Sequence, residues 1–151
     1  MPSFFAFLHF AAAFTVFATL VLEHSLLEDP LTLASAQRLQ KTDILFGISA
    51  GLVLVIGWSR VFLYEKGSYY YTHNAAFLAK MGCFILVGLI SIIPTLEFIA
   101  WRPATRQGMC PSLTPAKLRR LKLCIRLELL LIFVMIFCAT LMAKGIGTFG
   151  I

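Results

Sequence analysis

The sequence predicts an all-α integral membrane protein: a four-helix bundle with short loops, forming a single domain over residues 1–151. Three observations predict it. First, 60% of the residues are hydrophobic and 13% are charged, with a mean hydropathy of +0.88, whereas a soluble domain carries about a quarter charged residues. One soluble core could not hide that much apolar surface, so lipid must solvate much of it. Second, four apolar runs, at roughly residues 4–27, 44–63, 75–101 and 121–146, each reach the length of about twenty residues that a spanning helix needs. Third, helix breakers fall between them: Glu28-Asp29-Pro30, Lys66-Gly67-Ser68, and the stretch from Pro103 to Pro115. No internal repeat or low-complexity segment interrupts this pattern.

The first run reads as a retained helix rather than a signal peptide. No Lys or Arg precedes it and it is longer than the usual apolar segment, although "LASAQ" at residues 33–37 mimics a cleavage site. The second run follows Asp43, which reads as its N-cap. It contains "GISAG", Gly47 to Gly51, with Gly57 about two turns on; small residues at this spacing let backbones, or a flat ring, approach closely. The third run carries Lys80 near its start and Pro94 inside it, where the missing backbone donor predicts a kink. The fourth carries Arg126 and Glu128 near its start. A carboxyl at Glu128 must pair with a base such as Arg126 or keep its proton. Trp58, Tyr69, Tyr70 and Tyr71 read as an interfacial aromatic belt.

Net charge is +6, and its placement sets an expected orientation. Arg102, Arg106, Lys117, Arg119, Arg120 and Lys122 fall between the third and fourth runs, and Arg38 and Lys41 between the first and second. The opposite side has little beyond Arg60, Lys66 and Lys144. The positive-inside rule then puts both basic loops in the cytoplasm and both termini outside. The basic loop reads as a topology signal and a lipid-headgroup contact, not as a nucleic-acid surface. The four cysteines, Cys83, Cys110, Cys124 and Cys138, form no C-x-x-C pair, so neither a disulfide framework nor a zinc site is indicated.

With that orientation, depth follows from a rise of about 1.5 Å per residue. His9, Arg60 and Lys80 come to one level in the outer part of the bilayer, roughly 5–8 Å deep, with His73 just above them. Each has an ordinary reading as well: Arg60 and Lys80 as snorkelling anchors, His9 as a hydrogen-bonded core residue. An imidazole and two cations at one depth on three helices also match what a heme requires, a nitrogen ligand for iron and cations for two propionates. An anionic substrate or headgroup could use the same cations. A second set, Glu23, His24, Asp43, Glu97, Arg126 and Glu128, collects at the inner end. Glu23, His24, Glu97 and Glu128 form a possible proton path or inner polar site there. His9 and His24 lie about 22 Å apart along the first helix.

"FLHFAAAFTVFATLVLEH", the stretch from "GWSRVFLYEKG" to "IIPTLEF", and "RLELLLIFVMIFCATLMAKGIG" closely resemble a bacterial four-helix membrane family of unknown function, over nearly the whole chain. More distantly the chain resembles the superfamily of HemJ-type protoporphyrinogen IX oxidases and CopD-type copper-resistance proteins. HemJ-type proteins have a histidine early in helix 1 and a lysine early in helix 3, matched here by His9 in "FLHF" and Lys80 in "FLAKMGCF". The resemblance implies a location in the bacterial inner membrane, His9 as an axial ligand of heme b, and Lys80 at the porphyrin site. The chain lacks the family's R-x-x-N-E-x-P before the last helix, having "RLKLCIRLELL" there.

The expected function is therefore binding of heme b or a related porphyrin by His9, Arg60 and Lys80, with His73 on the opposite face. The associated role is electron transfer or porphyrinogen oxidation coupled to quinone or another redox partner, which would make the protein a heme-dependent membrane oxidoreductase. The alternatives are a non-catalytic accessory or lipid-binding subunit of a larger complex or homo-oligomer, docked through the small residues of the second run, and a copper or small-solute transporter. Met81, Met135, Met142 and His9 would be the copper ligands. No Ser–His–Asp set, P-loop or dinucleotide fingerprint supports hydrolysis or nucleotide chemistry.

Overall fold

The structure, a computed structural model, describes residues 2–64 and 73–146; Lys66 and the tyrosines Tyr69, Tyr70 and Tyr71 lie outside the described residues. Helix α1 spans Pro2–Leu26 and α2 spans Leu33–Ser59, continuing into a π-helical turn at Arg60–Tyr64. Helix α3 spans Ala75–Ala100, α4 is a single short turn at Arg102–Arg106, and α5 spans Pro115–Ala143. Among the described residues, four helices are long and apolar enough to cross a membrane. At about 1.5 Å per residue each exceeds the roughly 30 Å hydrocarbon layer.

Two of these helices begin well before their apolar runs. Thr32 caps α2, its hydroxyl accepting from the Ser35 N–H, and Thr114 caps α5, accepting from the Lys117 N–H with Pro115 in the first turn. Asp43 is therefore not an N-cap: it sits mid-helix and is buried. Arg38, Lys41, Lys117, Arg119, Arg120 and Lys122 belong to these helical extensions rather than to loops. Asn74 caps α3 by accepting from the Phe77 N–H, and α3 runs through Pro94 without ending.

Helix α1 packs along α2, and α3 along α5; the two hairpins then meet chiefly through α1 and α5 and less through α2 and α3. The outer faces are apolar. Phe4, Phe7, Phe10 and Phe14 run as an exposed stripe along α1, and Leu, Ile and Phe side chains do the same on the other helices. In water such faces would be untenable; in hydrocarbon they are solvated.

The buried core is uneven. Leu20, Leu27, Leu39, Phe98, Trp101, Leu121 and Ile125 are all buried, and all lie toward the end that carries the basic residues. At that end α4 is tied to α2 by Gln40 Nε2 donating to Thr105 Oγ1 at 3.2 Å. Glu97 Oε1 receives Lys117 Nζ at 2.8 Å and Trp101 Nε1 at 3.1 Å. The end where α1 begins and α5 finishes is much less filled.

The G-x-x-x-G stretch does not seat a neighbouring helix. A Cβ added at Gly47 or Gly51 would meet nothing within 4 Å, so this small surface faces away from the bundle.

Candidate functional site

The hairpins part at the terminal end, the end where α1 begins and α5 finishes, and leave two adjoining cavities of about 170 and 620 Å³. His9 from α1, Val53 from α2, Arg60 from the π turn, Lys80 and Phe84 from α3, and Met142 from α5 line both. The three residues singled out at one depth thus come from three separate segments to one hollow. The larger volume falls within the range of roughly 300–1,000 Å³ usual for small-molecule sites. The walls are mostly aliphatic and aromatic, with the imidazole, the two cations and Thr140 among their polar groups.

Local structure positions each of these side chains. His9 lies two turns into α1, where its ring packs against Gly57 of α2. A Cβ at Gly57 would come within 3.2 Å of His9 Cε1 and 3.6 Å of Nδ1. Glycine there is what allows the ring to approach the α2 backbone so closely. Nδ1 of His9 is buried without a well-aligned hydrogen bond, and the Val53 backbone is the group near enough to act on the ring. Arg60 opens the π turn that continues α2; such turns occur often at functional sites. Arg60 and Lys80 both lie near enough to act on the imidazole electrostatically.

Met81 lines the smaller cavity, Met135 the larger, and Met142 both. The proposed copper ligands therefore share the hollow with His9. His73, in the turn before α3, lines neither cavity. Val53 and Phe84 as walls and Gly57 as the seat of the imidazole were not visible in the sequence, which marks no helix face as inward when every face is apolar.

At the basic end the acidic set separates. Glu23 and Glu128 are buried together with Asp43, whose Oδ1 accepts from Thr95 Oγ1 at 2.7 Å. His24 turns outward and accepts from Arg126 Nε at 3.1 Å. Glu97 pairs with Lys117. Arg126 is thus not the partner of Glu128. His24 and Glu97 are surface pairs, while Asp43 joins the interior set. Each interior carboxyl on α1, α2 and α5 lies about fourteen residues, or roughly 21 Å, from a cavity residue on the same helical stripe: Glu23 from His9, Asp43 from Gly57, Glu128 from Met142.

The family model described as "Predicted membrane protein (DUF2214)" matches residues 1–147. The chain belongs to the DUF2214 family. No curated protein and no solved structure gives a significant match. The membrane assignment of this DUF2214 protein thus rests on two agreeing observations, the family description and four apolar helices.

A porphyrin would meet on these walls the His9 ring, seated beside Gly57, and two cations. Imidazole and thioether side chains are both known heme-iron ligands. Among the described residues, no group of three or more His, Cys, Asp or Glu side chains is placed to hold a metal ion, so a metal carried in this hollow would not rest on such a cluster.

Proposed function

We propose that this DUF2214 protein binds heme b or a related porphyrin in the cavity at the terminal end. In this reading His9 ligates iron, Arg60 and Lys80 hold the propionates, and the aliphatic and aromatic walls receive the macrocycle. The single observation that carries it is the convergence of His9, Arg60 and Lys80 on one hollow of about 620 Å³. When bound, the group would supply one-electron chemistry; the role is electron transfer or porphyrinogen oxidation. The protein's part is to orient the ring by its two anionic arms and to exclude water with Val53, Phe84 and Met142. Of the long-helix pairs that pack together, α2 and α3 touch least, and exposed Phe62 and Trp58 line the rim. A lipophilic ring or quinone can therefore enter from the bilayer side.

The distant resemblance to HemJ-type proteins, through His9 and Lys80, supports the same reading. The basic residues at the opposite end support a bacterial inner-membrane orientation with that end in the cytoplasm and the cavity toward the periplasm. A second reading is favoured by one specific observation, the three methionines facing the hollow with His9. Soft thioethers with an imidazole suit Cu(I).

Cofactor analysis of protein purified from cells supplied with both a heme precursor and copper separates the two. The first reading expects a stoichiometric porphyrin with a reduced-minus-oxidised spectrum. Copper without porphyrin selects the second, and neither of them overturns both.

A further inference from the structure

The packed end holds an anomaly that the cavity does not explain. Glu23, Asp43 and Glu128 enter the interior from three helices, and their exposures are 1%, 7% and 0%. Glu23 interacts electrostatically with both of the others, and Glu128 with Asp43. Neither carboxylate oxygen of Glu128 has a hydrogen-bond partner, and nor does Oε1 of Glu23. The nearby bases are engaged elsewhere, Arg126 with His24 and Lys117 with Glu97. The remaining titratable groups acting on the set are Arg102, which acts on Asp43, and Cys124, one turn from Glu128 on α5.

Three ionised carboxylates in this space would repel one another and forgo hydration, an expense that a lipid-embedded core does not recover. We propose that Glu23, Asp43 and Glu128 form a proton-binding site. Asp43 carries the negative charge, supported by the Thr95 hydroxyl and Arg102, while Glu23 and Glu128 carry protons. Protonation removes the buried charge that desolvation disfavours. The ligand is a proton rather than a metal ion, because no three such side chains among the described residues converge closely enough to hold one. Leu20, Ile125 and Phe98 at the same end are fully buried as well, so exchange with solvent requires the helices there to loosen.

The test is infrared spectroscopy of the full-length protein in lipid nanodiscs at neutral pH, with carbodiimide labelling mapped by mass spectrometry. The proposal expects a protonated-carboxyl C=O band that shifts slowly in D₂O and weakens in Glu23→Gln and in Glu128→Gln. Glu97→Gln should leave it unchanged. A hydrophobic carbodiimide, which reacts with protonated carboxyls in apolar surroundings, should label Glu23 or Glu128. Absence of the band, a band indifferent to both substitutions, or labelling abolished by sodium ions at constant pH overturns the proposal. If the Gln variants fail to fold, the labelled position in the wild-type chain decides the matter. Nothing in this test depends on a porphyrin.

Discussion

The two ends of the bundle use the same four helices and differ in what lies between them. At the basic end, large apolar side chains and three carboxyls fill the interior, and the Lys117–Glu97 ion pair and a glutamine–threonine bond tie down the periphery. At the terminal end the side chains facing inward leave a hollow, and the polar groups there are cationic or neutral. Close packing is the rule for protein interiors, and voids larger than a few waters are uncommon. A hollow of this size, with its polar groups converging, is what a ligand site requires, and the filled end provides the rigidity to hold it.

Substitutions test this contrast. Phe98→Ala at the packed end should cost the most, about 3 kcal/mol or more, as expected for removing a fully buried aromatic. Phe84→Ala on the cavity wall should cost less than about 1 kcal/mol, because it borders space already empty. Unfolding in mixed detergent measures both; equal losses would erase the distinction. The next effect has the opposite sign. Glu128→Leu should stabilise the protein by roughly 1–3 kcal/mol, because a buried carboxyl without partners is replaced by an apolar side chain of similar size.

Glycines give a sharper contrast on one helix. Gly57→Ala places a methyl 3.2 Å from the His9 ring, so ligand affinity should fall several-fold while stability changes little. Gly51→Ala meets nothing within 4 Å and should stabilise α2 by about 0.5–1 kcal/mol with affinity unchanged. Thermal unfolding and ligand titration on both variants check the pair. The smallest effect belongs to the surface. Lys117→Ala, breaking an exposed bridge to Glu97, should cost no more than about 1 kcal/mol and should vanish in high salt.

Much of this architecture was legible in the sequence because lipid makes hydropathy decisive. The spans at α1 and α3 fall within a few residues of the apolar runs. The starts of α2 and α5 were not legible, since polar turns beyond the membrane stay helical once Thr32 and Thr114 cap them. Asp43 looked like a cap for the same reason, and its burial was missed. His9, Arg60 and Lys80 could be placed at one depth because rise per residue fixes depth. Which way Gly47 and Gly51 face could not be read, because an all-apolar helix carries no contrast between its sides. Charged residues are the exception: Glu23 and Glu128 turn inward, as ionisable groups in spanning helices do.

The most direct measurement is a hemin titration of the purified DUF2214 protein in nanodiscs, wild type beside His9→Ala, followed in the Soret region. Saturable binding in the wild type, with a Soret shift that His9→Ala lacks, is the predicted result. An identical titration in the two proteins would contradict the account.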